Sequence, residues 1–377
     1  MVQAITLPLN TVVDAIHSTV TQVYRRVEIT EADNTTIWKA SSAIGLLGGG
    51  IEVDSTRDER RSVSLSLDNS DRSMDVGPTG LWYDKVIKPY RGVRLSDGST
   101  YERKLGEFLI DSISLKNFPR SVELSGRDFT KKLMNDKFST TTGFIKNQPV
   151  ENILRTIALN GGIAAGRITF PLTGKSTGRD FVFDRTVSRW DAMKEIATAY
   201  TFDLYFDQDG MMRLETPADP LLDAPQYTFQ TGIAGNLLSF GKKLADSRIY
   251  NHVVVTGGSP TPDSLPPYAS VENNTATSPT RIAKLGRRTY FYTSSFITTQ
   301  AQCLTLATSL LKIHALEQYE VDLEALVIPY LEAGVTVSFV DPEPLAGQPT
   351  KYLLSSFSLP LGLDGMSASV RRVTQVG

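Results

Sequence analysis

The sequence predicts a mainly β protein with an α+β insert, and three observations carry that prediction. Alternating or β-branched runs dominate both ends of the chain, as in Ser62-Val63-Ser64-Leu65-Ser66-Leu67. Helical spacing is concentrated in the middle. The last third also repeats, in order, features of the first third. The expected architecture is two related small β-barrel domains packed with a small α/β domain. The boundaries fall at 1–126 for a barrel with a short leading helix, 127–235 for the α/β domain, and 236–377 for a second barrel with one long helix.

Each element has a local reason. Asn10 caps a short first helix whose Val13 and Ile16 share a face. Strands follow from about Val20: VYRRVEIT, SVSLSLD, GVRL, EFLIDSISL and SVELS, separated by polar or Gly-Pro turns. In the middle, Val150, Ile153, Leu154, Ile157 and Ala158 keep helical spacing, with Pro149 in the first turn and Gly161-Gly162 as the stop. A second helix starts at Ser188 with Asp191 three residues on, a short capping box, and carries Trp190, Met193, Ile196, Ala197 and Tyr200. Asp209-Gly210 then marks a hairpin. The final third reads as strands interrupted by one long helix from Thr298 or Thr299, with Leu304, Ala307, Leu310, Leu311 and Ile313 as its apolar face. The stretch 257–280, rich in Pro, Ser, Thr and Asn, is expected to be a surface excursion.

Composition narrows the function. A length of 377 residues suits two or three domains, and 41% hydrophobic with 21% charged residues is a globular balance. A net charge of -2 gives no global pull toward nucleic acid or an anionic membrane. Cys303 is the only cysteine, which excludes an internal disulfide and a thiolate metal cluster. No apolar run reaches membrane-spanning length and the first residues lack a signal-peptide pattern, so stable membrane association is not expected and assembly inside a cell is.

Thr173-Gly174-Lys175-Ser176-Thr177 looks like the end of a phosphate-binding loop. The motif needs a glycine where Thr169 stands and a helix beginning at the Lys-Ser pair, where the sequence instead runs into a strand, Asp180-Phe181-Val182-Phe183. A nucleotide site is therefore not expected. His17, His252 and His314 lie in separate elements without metal-ligand spacing, and no serine-nucleophile elbow occurs. Tyr205 and Thr216 stand where a calcium loop would need acidic ligands. Arg57, Arg60 and Arg61, set among Asp54, Asp58 and Glu59, read as a mixed solvated turn, and Lys242-Lys243 and Arg287-Arg288 are short basic pairs. None makes the basic stripe with interleaved aromatics that holds single strands. No catalytic, cofactor-binding or metal-binding residue is expected.

The internal repeat is the most informative feature. "IKPYRGVRLSDG", "GEFLIDSISL" and "RSVELSGRD" in the first third match "VIPYLEAGVTVSF", "TKYLLSSFSL" and "SASVRRV" in the last. Pro89-Tyr90 is aligned with Pro329-Tyr330 and Gly92-Val93 with Gly334-Val335. Phe108-Leu109-Ile110 is aligned with Tyr352-Leu353-Leu354, and Ser112 to Leu115 with Ser356 to Leu359. Two like domains per chain, three chains around an axis, mimic a sixfold ring.

That order of segments, "PYRGVRLSDG…LGEFLIDSISL…SVELSGRDFTKKL", an α/β insert, then "PYLEAGVTVSF…YLLSSFSLPLG", resembles the tail-hub or baseplate-hub proteins of tailed bacteriophages, especially those of actinobacterial siphophages. The resemblance covers nearly the whole chain. It implies a homotrimeric, pseudo-hexameric ring at the virion tail tip, assembled in the host cytoplasm. Its partners would be the distal tail protein ring, the tape-measure protein and other tip proteins, with DNA only in transit. Many siphophage hubs continue into a hydrolase or receptor-binding extension, whereas this sequence ends at Gly377, so such roles are expected in a separate protein. The alternatives are a tail-tip cell-wall hydrolase, which lacks any visible nucleophile or metal cluster, and the hub of a related contractile injection machine.

Overall fold

The computed structural model describes residues 15–16, 22–31, 35–41, 45–77, 80–95, 97–231, 235–244, 249–259, 264–315, 319–340 and 350–372. Ala15 and Ile16 are helical, and the rest of the expected first helix, with His17, lies outside the described residues.

The first third forms β1 (Val23–Thr30), β2 (Thr36–Ser41), β3 (Leu46–Asp54), β4 (Arg61–Asp68), β5 (Val86–Arg94), β6 (Thr100–Lys104), β7 (Phe108–Asn117) and β8 (Arg120–Arg127). The middle holds α1 (Thr130–Asn135), β9 (Thr142–Phe144), α2 (Val150–Asn160), β10 (Ile168–Thr169), β11 (Phe181–Phe183), α3 (Arg189–Ala199), β12 (Asp203–Phe206) and β13 (Met212–Glu215). The last part begins with β14 (Tyr227–Phe229), β15 (Leu237–Leu244), β16 (His252–Gly257) and β17 (Tyr268–Glu272). It continues with α4 (Ile282–Leu285), β18 (Thr289–Ser294), α5 (Gln300–His314), β19 (Tyr319–Ala325), β20 (Thr336–Phe339), β21 (Thr350–Pro360) and β22 (Met366–Arg372).

Strands from both ends of the chain share one 14-stranded sheet. Its path runs β15-β19-β22-β21-β3-β4-β8-β7-β5-β1-β2, with β20 beside β21 and β14, and β6 beside β5. The expected small barrels are thus corrected: among the described residues no ladder closes, and the two strand sets are fused. The cause is a length mismatch. β21 has 11 residues and its partner β20 only 4, so the surplus segment Ser356–Pro360 pairs with Asp54–Gly50 of β3.

Within that sheet, β3-β4-β8-β7-β5 and β15-β19-β22-β21-β20 are adjacent in the same order, antiparallel throughout. The irregularities match as well. β7 shifts register between Ile110 and Ser112 against β8, and β21 between Leu354 and Ser356 against β22. β3 shifts between Leu46 and Gly48, and β15 between Leu237 and Ser239. A bulge inserts one residue and re-aims the strand, so it is a placed feature rather than noise.

The hydrophobic cores do not follow the three consecutive stretches. One core gathers both strand sets, from Val27, Leu65 and Phe108 to Phe339, Phe357 and Val370. The other joins the middle helices to β16, β17 and α5 through Trp190, Ile196, Phe206, Val253, Phe296, Cys303 and Leu311. The long helix packs on β16 and β17, and that unit shares its core with the α/β insert. Its buried stripe is Cys303, Leu306, Ala307 and Leu311, while Leu304 and Ile313 face outward at 51% and 38% exposure. Part of the expected excursion at 257–280 is corrected too. Tyr268–Glu272 pairs with β16 because Ala269 and Val271 alternate inward, and buried Asn273 donates to Ser278 and Thr280. Residues 260–263 lie outside the described set.

Local signals held where they named a hydrogen bond. Ser188 Oγ accepts from Asp191 N at the start of α3, and Thr299 and Gln302 complete a capping box on α5. Gly210 turns the β12–β13 hairpin at φ 71, with the Asp207 carboxylate accepting from Asp209 N and Met211 N.

Thr299→Ala removes the acceptor for Gln302 N and is expected to lower unfolding free energy by about 1 kcal/mol, measured by urea denaturation. His314 packs against the Tyr290 ring at 4.2 Å, and burial, aided by the charge of Arg371, pushes its pKa from 6.5 down to about 4. Below pH 6.5 the unfolded chain takes up a proton that the folded chain refuses. Stability is then intact above that pH and falls as pH drops toward 4. A His314→Phe chain titrated in parallel should lack this component of the slope.

Candidate assembly interface at the junction of the strand sets

The residues with the most unusual environment are Arg60 and Arg61, which end the turn after β3. Their mixed-charge surroundings predict a solvated turn, and the structure corrects this. Arg57 stays outside, near Glu52 and Asp54, whereas Arg60 is 3% and Arg61 1% exposed. The signal was strand parity. Arg61 shares its face with Val63, Leu65 and Leu67, all buried.

Arg61 Nη2 donates to Glu332 Oε2 at 2.5 Å and Nη1 to Leu105 O at 3.0 Å, while its backbone N–H bonds Asp128 Oδ2. Arg60 pairs with Asp203 of β12, donates to Ala333 O at 3.3 Å, and lies 3.5 Å over the Tyr205 ring. Three distant stretches of chain meet at these two guanidinium groups. Burial alone would raise the Asp203 pKa, but the charges of Arg60 and Lys194 hold it below the usual value. For Asp128, burial outweighs its hydrogen bonds from Thr130 and Arg61 N and the Arg61 charge, and pushes its carboxyl up to about 6.

Of the residues singled out by the repeat, Gly334 lies beside Arg60, and the two sets differ in local structure. Pro89, Tyr90 and Gly92 sit inside β5. A Cβ on Gly92 would come within 1.8 Å of Tyr101 O, so β6 approaches only a glycine there. Pro329 and Tyr330 form a turn before β20, and Gly334 follows at φ 80 beside Ser55. The ladders set the correspondence differently from the Pro-Tyr alignment. Val86 faces Leu109 in β7 and Thr336 faces Leu353 in β21, so Val86 and Thr336 occupy like positions. The matching of Phe108–Leu115 with Tyr352–Leu359 agrees with the matched bulges.

A second clamp holds the β21–β22 turn. Arg91 Nη1 donates to Pro360 O at 2.5 Å and Gly362 O at 2.6 Å, and Arg25 Nη1 to Leu361 O at 2.5 Å. Burial, with Arg25 alongside, lowers the Arg91 pKa to about 10, so it stays charged at neutral pH.

Across the fused sheet, the outward face carries small and charged groups. Ladder neighbours place Ser239, Glu324, Ser367, Ser358, Glu52, Ser62 and Arg127 in one row spanning both strand sets. A shallow groove of about 540 Å³ runs along it at the β3–β21–β22 joint. It contains no clustered acid, base and nucleophile, and no group of His, Cys, Asp or Glu among the described residues is placed to hold a metal. Lys175 precedes no helix; its carbonyl accepts from Val150 N. His252 is held between Thr289 Oγ1 and Ser270 Oγ, at 2.8 and 2.7 Å. Of the short basic pairs, Arg287 bonds Glu272, and the side chains of Lys242 and Lys243 lie outside the described set.

No protein-family model matches the sequence, and no curated protein matches it. Solved structures do share the fold. The tail protein from Neisseria meningitidis MC58 is similar with a TM-score of 0.65 at 15% identity, covering 93% of this chain and 97% of that one. The 43 kDa tail protein of prophage MuSo2 from Shewanella oneidensis gives 0.62 at 11% identity, covering 93% and 98%. Prophage tail protein gp18 from Listeria monocytogenes EGD-e gives 0.51 at 9%, covering 92% and 94%. The fold is therefore one found in phage tail proteins.

Removing one partner of a buried ion pair strands the other charge. Glu332→Ala should cost about 3–5 kcal/mol, read as a lowered denaturation midpoint, whereas Asp58→Ala on the exposed turn should change stability by less than about 0.5 kcal/mol.

Proposed function

We propose that this chain is a structural component of a phage tail tip, three copies of which close into a ring of six like units. One observation carries the proposal: a single chain contains two strand sets of the same order, with bulges at matching positions, fused side by side through β21 and β3. Such a pair is what a duplicated domain leaves behind. Three duplicated chains offer a sixfold neighbour and a threefold neighbour an equal fit. The near-complete overlap with phage tail proteins of similar length supports this setting. In this reading the distal tail ring lies on one side and other tip proteins on the other. The tape-measure protein and DNA pass through the bore, and the work is done by assembly rather than catalysis. Attachment to a siphophage tail of the actinobacterial type rests on the sequence resemblance.

The outward sheet face suits the lining of that bore. Its serines are small, and Glu52, Asp54 and Glu324 offset Arg57 and Arg127. Phosphate neutralisation by a basic stripe would hold DNA in place, and a mixed, hydroxyl-rich surface lets it slide.

Copy number tests the proposal. Quantitative mass spectrometry of purified tails should give three chains per tail. Six chains per tail, or a copy number scaling with tail length, would contradict it.

A further inference from the structure

The two strand sets are not equally satisfied. β21 uses its first half on β20 and its second half on β3. β7 starts the same way, with Phe108 and Leu109 against Ile87 and Val86 of β5. Beyond that point, among the described residues, β7 has a ladder partner only on its β8 side. β15 likewise pairs with β19 and, among the described residues, has no strand on its other side. By position in the sets, β7 matches β21 and β15 matches β3. The chain thus makes one such joint internally and leaves both halves of a second one open.

Backbone parity shows which groups are bare. Asn69 N donates to Arg120 O and Asp128 N to Arg61 O, so even-numbered residues of β8 bond β4. Odd-numbered Ser121, Glu123 and Ser125 then bond Lys116, Ser114 and Ser112 of β7. The N–H and C=O groups of Ile113 and Leu115 point out of the open edge. Their counterparts are already covered: Phe357 is 4% and Leu359 1% exposed, whereas Leu115 is 46% exposed. Phe118, at the tip of the same hairpin, is 97% exposed. An exposed edge with unpaired backbone groups and apolar side chains is a template for another strand.

We infer that β7 of one chain pairs antiparallel with β15 of the next copy, in the register the chain already uses between β21 and β3. The register transfers through the ladders. Gly49 and Phe240 face Leu65 and Leu323, which face Leu124 and Ala368, which face Ile113 and Phe357. Gly50, Ile51, Glu52 and Val53 therefore match Gly241, Lys242, Lys243 and Leu244. The inter-chain register places Ile113 opposite Leu244, Ser114 opposite Lys243, Leu115 opposite Lys242 and Lys116 opposite Gly241 of the next copy. The joint is head-to-tail, so it propagates around an axis until it closes. This pairing rests on the ring reading above and specifies how that ring is held.

Paired cysteines test it. Ser114 and Lys243 would form a non-hydrogen-bonded pair, with Cα atoms about 4.5 Å apart, which a disulfide spans. Cys303 is fully buried and does not compete. Assembled tails carrying Ser114→Cys with Lys243→Cys should give covalent trimers under oxidation on non-reducing gels. Ser114→Cys with Gly241→Cys, two residues out of register, should give almost none. In a second variant, Leu115→Pro removes an outward N–H that β8 does not use; the free chain should melt as before while ring assembly is lost. Three copies per tail without the Ser114–Lys243 cross-link would overturn the pairing and leave the ring standing. Any other copy number would overturn the ring and the pairing with it.

Discussion

The ladder between β3 and β21 is the constraint on which the rest of the structure depends. It joins the two strand sets into one sheet, from Ser356 opposite Asp54 to Pro360 opposite Gly50. The two clamps sit at its ends. Arg61 with Glu332 lies near Asp54, and Arg25 and Arg91 hold the carbonyls of Pro360, Leu361 and Gly362. A backbone ladder sets direction and spacing but tolerates a slip along the strands, which would turn every side chain to the other face. Buried charges that must meet fixed partners leave a slipped register with an unpaired ion, a cost of several kcal/mol.

The same clamp ties in the α/β insert. Arg60 reaches Asp203 and Tyr205 in β12 while donating to Ala333 beside Glu332. Glu107, between β6 and β7, pairs with Lys104 and with Arg167 of the insert. The insert is therefore fixed to the sheet by charge-assisted contacts at its base, and its apolar core faces β16, β17 and α5. The proposed ring would need such rigidity, because angular error between the two strand sets would accumulate at each joint.

Much of this was legible in the sequence, and the exceptions have physical reasons. Alternation found the strand Ser62–Leu67, and capping chemistry found the starts of α3 and α5, because both are local. The hairpin Phe108–Leu115 and its counterpart Tyr352–Leu359 were matched correctly, since bulged strands keep their spacing. The Pro-Tyr match misled: Pro89 sits within a strand and Pro329 in a turn, and a dipeptide does not encode which. Closed barrels were expected because the length mismatch of β20 and β21 appears only once ladders are drawn. The arginine junction was missed because charge among charge reads as solvated. Parity with Val63 and Leu65 was the available clue. The long helix packs on β16 and β17 of its own third of the chain, but that this unit shares a core with the insert was not legible, since an apolar stripe does not name the core that receives it.

Hydrogen exchange on the free chain tests the joint most directly. Ser55 N donates to Ser355 O and Leu361 N to Gly49 O, and the alternation between them places the amides of Ile51, Val53, Phe357 and Leu359 in the joining ladder. These four amides should exchange as slowly as those of the β4–β8 ladder, opening only with global unfolding. Fast exchange at all four while β4–β8 stays protected would mean that the strand sets are independent units, and would contradict the fused pair on which the proposed ring rests.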